Sequence, residues 1–260
     1  MIEVDVTDGI GVVRLAHGKV NALDLELCRA IEETLRDLDA GPARAVVLTG
    51  TGRAFSAGVD LARIVEGGAG YVDDYLPALT GAFRAVFEAG KPVVAAVNGH
   101  AIAGGCVLAA ACDHRVMAAG TGTIGVPELY VGVPFPAVAL EIMEYALGPV
   151  AARRAILDGR NHTAAEALAH GFVDELAEPG ELLDRALAVA GRLATAVPAD
   201  VLRHTKRQLR GDADDRREGE ATTARLWRTA AADGRIEAFM ARTVGSRRSS
   251  PGGSPPPAAG

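Results

Sequence analysis

Cysteine is scarce in this chain: Cys28, Cys106 and Cys112 are the only three among 260 residues. They form no CxxC pair, and two of them fall in apolar helical patterns. A disulfide framework is therefore not expected, and buried free thiols in a reducing, cytoplasmic setting fit better. Basic clusters are lacking too. The 27 basic residues are outnumbered by 33 acidic ones, for a net charge of −6, and the arginines of 151–160 and 202–210 recur at helical spacing, as on solvated faces. Nucleic acid is therefore not expected as a partner. The six histidines, at positions 17, 100, 114, 162, 170 and 204, show no HExxH or comparable ligand spacing, so no metal site is expected. The N-terminal MIEVDVTDGI has neither a basic segment nor a long apolar stretch, and no secretion signal is expected.

Charge is missing altogether from Pro92 to Cys112, a stretch long enough to suggest a membrane span. Pro92, Asn98, Gly99, His100, Gly104 and Gly105 interrupt it, and its bulk is Ala, Gly and Val. A buried strand, a turn and a buried helix account for it, so no membrane association is expected.

With 49% hydrophobic and 23% charged residues, the chain can bury a substantial core in one large domain, with or without a small appendage. "IEVDV" and "IGVVRLA" read as strands around the turn Thr7-Asp8-Gly9. Residues 23–39 carry Leu27, Cys28, Ile31, Leu35 and Leu38 at helical spacing. "ARAVVLTG" (43–50) and "KPVVAAVNG" (91–99) are apolar runs ending in glycine, typical of strands buried on both faces. Residues 76–90 read as helix and "HRVMAA" (114–119) as a third short strand. Thr163 and Glu166 can form a capping box in "TAAEALAHG", with Gly171 as the stop. Further helices are expected at 180–195, 199–210 and 217–242, and the Gly/Ser/Pro-rich tail 246–260 should be disordered.

Several motifs carry candidate chemistry. "GTGTIG" (120–125) matches GxGxxG, but Val126-Pro127 follows at once, where a dinucleotide site needs a helix. "GTGRAF" (50–55) lacks the third glycine. "AFSAGVD" (54–60) sets Ser56 near a glycine without being GxSxG, so a serine hydrolase is unsupported. Two glycine-containing turns remain, "RAFSAGVDL" and "NGHAIAGG", each following a buried strand. If those strands are neighbours, the free amides of both turns can converge as an oxyanion hole, although tight turns or helix packing would explain either glycine turn alone. The third feature is Glu128, a lone carboxylate in the apolar stretch "GVPELYVGVPFP" (125–136). Most glutamates are solvated surface groups; one in an apolar pocket would have its pKa raised, as a proton-transfer group requires.

The segments "RAFSAGVDL", "NGHAIAGGCVLAAACD" and "IGVPELYVGV" stand in the order and spacing of the enoyl-CoA hydratase/isomerase (crotonase) superfamily, which this chain resembles over about residues 2–245. The resemblance implies an α/β fold: a crotonase-like spiral of ββα turns (1–195) binding acyl-CoA, then a C-terminal helical region (196–245) for trimerisation. Homotrimers or dimers of trimers are implied, with an acyl-CoA thioester as ligand and no cofactor beyond the coenzyme A of the substrate. The oxyanion amides fall on Val59 and Gly104. Ala57, Gly58, Val59, Asp60, Leu61 and Ala62 would line the acyl-CoA path.

Hydratases of the family use two glutamates; the second matches Glu128, whereas the first falls on Val107. Valine can neither position water nor exchange a proton, while shifting a double bond needs only one base. The resemblance thus leans toward a Δ3/Δ2-enoyl-CoA isomerase with Glu128 as proton shuttle. Two alternatives stay open. One is hydration or another enolate-forming reaction, using Glu128 alone or an acid of a 63–78 loop (Glu66, Asp73 or Asp74). The other is a non-catalytic acyl-CoA binding protein. Lys19, Arg53 and Lys206 are candidates for the coenzyme A phosphates. Trp227 and Phe239 are expected in the trimer interface or core, and acyl chain length is not legible.

Overall fold

The computed structural model describes residues 1–211 and, beyond them, Thr222, Thr223, Arg225 and Thr229. Residues Met1–Arg210 form one compact unit. The expectations for 217–242, Trp227, Phe239 and the tail lie outside the described residues.

The unit opens on a hairpin of β1 (Ile2–Thr7) and β2 (Ile10–Leu15). Helix α1 (Leu25–Ala40) follows, its first turn capped by the Asp24 carboxylate, which accepts from the Leu27 N–H. Three strand–strand–helix turns come next. The first is β3 (Ala45–Gly50), β4 (Ala54–Ser56) and α2 (Leu61–Phe87). The second is β5 (Val93–Val97), β6 (His100–Ile102) and α3 (Gly104–Ala110). The third is β7 (His114–Ala118), β8 (Thr123–Gly125) and the short α4 (Glu128–Val131). Helices α5 (Ala137–Leu147) and α6 (Pro149–Asp158) are followed by β9 (His162–Thr163), α7 (Ala164–Ala169), β10 (Glu175–Ala177), α8 (Leu182–Ala196) and α9 (Ala199–Arg210).

Each turn gives its first strand to one sheet and its second to another. The large sheet runs β1-β2-β3-β5-β7-β10 and the small one β4-β6-β8-β9. All pairings are parallel except β1 with β2 and β8 with β9. This is the expected spiral of ββα turns.

Side-chain alternation explains why the strands of the large sheet read as unbroken apolar runs. Val46, Leu48, Val93, Ala95 and Val97 face a core shared with α1, α2 and α3. Their neighbours Ala45, Val47, Val94 and Ala96 face the other way, onto Leu182, Ala186, Val189 and Ala190 of α8. The expected capping box at Thr163 and Glu166 is present.

Two expectations are corrected. Residues 63–78 are not a loop: α2 starts at Leu61, and only Gly68 (φ 60°, ψ −154°) breaks it. Asp60 caps its first turn by accepting from the Arg63 N–H. Glu66, Asp73 and Asp74 are exposed along this helix, where full solvation suits a carboxylate. Lys206 is also not free to meet a phosphate. It is buried on α9, donating to the Lys91 carbonyl (2.6 Å) and to Asp113 Oδ2 (2.7 Å). Asp113 accepts further from the Val93 N–H (2.7 Å) and from Arg210 (2.6 Å), so one carboxylate fastens α9 to the end of α3 and the start of β5. Lys19 and Arg53 are exposed.

Candidate active site

The small sheet brings the three motifs together. β4, β6 and β8 are parallel neighbours, and their C-terminal ends lead into Gly58-Val59, Ala103-Gly104 and Pro127-Glu128. Groups at the carboxyl ends of adjacent parallel strands lie along one edge of the sheet. β3 and β5 are also neighbours, as convergence of the two glycine turns requires.

Residues 20–24 cradle the first turn. The Leu23 N–H donates to the Gly58 carbonyl (2.7 Å), and the Asp60 N–H donates to the Leu23 carbonyl (3.2 Å). This bridge uses the groups on either side of Val59, so the Val59 N–H faces away from Leu23. Ser56, set aside as a nucleophile, is buried and shapes the same turn. Its hydroxyl donates to the Asn21 carbonyl (2.7 Å) and accepts from the Gly58 N–H (3.1 Å). Asn21 in turn donates to the carbonyls of Ala54 (3.0 Å) and Phe55 (3.2 Å).

Gly58 has φ +80°, and a methyl there would collide with the Ile102 carbonyl oxygen and lie 3.0 Å from the Gly104 nitrogen. Only glycine permits this approach. Gly104 is the first residue of α3, so its N–H has no acceptor within the helix. The two turns thus lie in contact. Around them, Ala57, Val59 and Asp60 are half-buried, and Leu61 and Ala62 are exposed.

Glu128 opens α4, directly after β8, and is 8% exposed. Its Oε2 is buried without a hydrogen-bond partner among the described residues. Burial raises its carboxyl to about 7, opposed only by its own backbone amide. Cys106, in the first turn of α3, is buried nearby; burial and the Glu128 charge both push its thiol far up, so it is inert as a nucleophile. Val107 is 1% exposed and belongs to the main core.

"GTGTIG" ends as strand β8, not as a helix entrance, and Gly125 serves the turn by accepting from the Ala103 N–H (2.8 Å). Among the described residues no group of three His, Cys, Asp or Glu could hold a metal ion, and no helix is long and apolar enough to cross a membrane. An open cavity of about 710 Å³ beside α6 and β9 is lined by Arg154, Arg160, His162, His170 and Phe172 among others, and by none of the residues above.

One residue of the site and one of its supporting frame carry no sequence signal. Ala103 adopts a positive φ that alanine rarely takes, and Asp113 looks like an ordinary polar residue after a helix.

Comparison with known proteins places the chain in a family. The family model described as enoyl-CoA hydratase/isomerase matches residues 5–232. A Thermus thermophilus relative named provisionally as an enoyl-CoA hydratase is 42% identical over 193 residues, 73% of this chain and 75% of that one. The human mitochondrial enoyl-CoA delta isomerase 1 is 29% identical over 213 residues, 81% of this chain and 70% of that one. A crystal structure from Hyphomonas neptunium, of a protein placed provisionally in the same family, superposes with a TM-score of 0.81 at 28% identity, covering 93% of this chain and 95% of that one. The chain belongs to the enoyl-CoA hydratase/isomerase family and is an acyl-CoA enzyme of that family.

Proposed function

We propose that the chain is a Δ3/Δ2-enoyl-CoA isomerase in which Glu128 is the proton shuttle and the Val59 and Gly104 amides are the oxyanion hole. The observation that carries this reading is a single buried carboxylate with a pKa near 7, set beside two contiguous glycine turns. Val107, at the place a second acid would occupy, is buried and apolar.

The Glu128 carboxylate removes a proton from C2 of a 3-enoyl thioester, and the electron pair moves onto the thioester oxygen as a dienolate. The Val59 and Gly104 N–H groups hold that oxygen; such donors are each worth roughly 10²–10³ in rate. Protonated Glu128 then returns the proton to C4, leaving the 2-enoyl thioester and restoring the carboxylate. A pKa close to neutral serves both halves, since one group must take and give the same proton. The residues from Ala57 to Ala62 border the path of the acyl-CoA. No cofactor enters beyond the coenzyme A of the substrate, and the reading carries assembly into trimers or dimers of trimers in the cytoplasm. The name of the human relative supports isomerisation, while that of the Thermus thermophilus relative makes hydration the reading to test against.

The test is a spectrophotometric assay with 3-enoyl- and 2-enoyl-CoA of several chain lengths, alongside acyl-CoA binding. Wild type should isomerise 3-enoyl-CoA faster than it hydrates 2-enoyl-CoA. Glu128→Gln should lower kcat by about 10²–10⁴ with binding retained, and Val107→Glu should gain hydration. Full isomerase rate in Glu128→Gln removes the assigned base. Binding without turnover of either substrate by wild type replaces the enzyme with an acyl-CoA binding protein.

A further inference from the structure

Ala103, the residue before the Gly104 amide, holds φ 52° and ψ −123°. The other non-glycine residues with positive φ are Asp8 and Asn21, types that tolerate the left-handed region, among the described residues. Alanine does not, and this ψ lies outside that region altogether. The conformation is held from three sides. The Ala103 N–H donates to the Gly125 carbonyl of β8 (2.8 Å), and the Ala103 carbonyl accepts from the N–H groups of Cys106 (2.8 Å) and Val107 (3.1 Å). Its methyl stands 2.9 Å from where a side chain on Gly58 would begin.

The planar trans peptide between Ala103 and Gly104 turns these restraints into a direction. Its carbonyl and N–H point opposite ways. The carbonyl is drawn into the first turn of α3, so the Gly104 N–H is turned out of the helix. An ordinary extended ψ at Ala103 would rotate that plane by roughly 100° and aim the N–H elsewhere.

We propose that Ala103 is a positioning residue: its forced backbone aims the Gly104 N–H, and its methyl spaces the Gly104 turn from the Gly58 turn. This rests on the reading of Gly104 as a donor to the thioester oxygen. The methyl is the working part. With glycine at 103, the hydrogen bonds to Gly125, Cys106 and Val107 remain, but nothing separates the two turns, and the Gly104 turn can settle toward Gly58 and carry its N–H off line. Binding of the thioester should survive, because the change removes no polar group. Polarisation of its carbonyl does not survive intact.

The experiment compares wild type, Ala103→Gly and Ala103→Ser. It reads the absorbance shift of a bound 2-enoyl-CoA chromophore, kcat and KM separately, and the thermal midpoint. Wild type should red-shift the conjugated thioester. Ala103→Gly should lose much of that shift and about tenfold in kcat, a part of what a whole oxyanion donor contributes. Its KM should barely change, and its midpoint should be equal or higher because glycine relieves the backbone. Ala103→Ser keeps the β-carbon and should keep the shift. A wild-type shift and kcat in Ala103→Gly overturn the proposal. A lowered midpoint with raised KM also overturns it, as damage to the fold. Absence of any shift in wild type instead removes the role given to the Gly104 amide.

Discussion

Glu128 shows how one side chain acquires a property by where it is placed. Taking its carboxylate out of water disfavours the charged form, and no cation or hydroxyl among the described residues offsets this at Oε2. The acid limb of kcat/KM should therefore follow an apparent pKa near 7, with activity rising as pH rises through it; a flat profile from pH 5 to 8 would contradict the role. Stability should move the opposite way. The folded pKa of about 7 lies above the ordinary 4.5, so the native state keeps a proton that the unfolded chain releases. The stability conferred by the protonated form is full below pH 4.5 and is lost as pH rises through 7. Glu128→Gln mimics the protonated form, so its thermal midpoint should exceed that of wild type at pH 8 and match it near pH 4.5. Such a residue is partly legible without coordinates, since a lone acid in an apolar stretch invites the question. Ala103 is not: nothing in its letter announces a positive φ that only its neighbours enforce.

Elements of three residues position the whole site. β4, β6 and β8 are too short for any periodicity to reveal them, and from sequence they dissolve into the turns they end in. The strands of the large sheet are plain by contrast, because burial on both faces leaves them uniformly apolar. Helix α2 was hidden at its start by Gly67, Gly68, Gly70 and Pro77, which read as a loop although only Gly68 departs from helical geometry. Between β4 and α2, the Gly58 turn depends on having no side chain. Gly58→Ala meets both a positive φ and the Ile102 carbonyl. It should cost about 1 kcal/mol or more in urea unfolding and lower kcat by at least about tenfold, since it displaces one donor. An alanine variant with wild-type kcat would show that the two turns need not touch.

The molecule as a whole is tied by a charge knot that no local pattern could forecast. Asp113 follows an apolar helix, and its partners Lys206 and Arg210 come 93 and 97 residues later. Arg210 also lies over the Phe87 ring, 4.6 Å from its centroid. Asp113→Ala leaves two cations nearly buried with no counter-charge among the described residues, a change that typically costs about 3–5 kcal/mol. Equilibrium unfolding in urea should show a loss of that order; less than about 1 kcal/mol would mean that water reaches the two cations and that α9 is held by packing alone. The spiral has a consequence of another kind. Successive turns each contribute one part of the proposed centre: the first the Val59 amide, the second the Gly104 amide, the third Glu128. Between the first two runs α2, which packs its buried Phe83 against the Gly104 turn and turns residues such as Val65, Asp73 and Asp74 outward. A change confined to the outward face of that arm can therefore leave the Gly104 turn undisturbed, whereas a change at Phe83 reaches it directly.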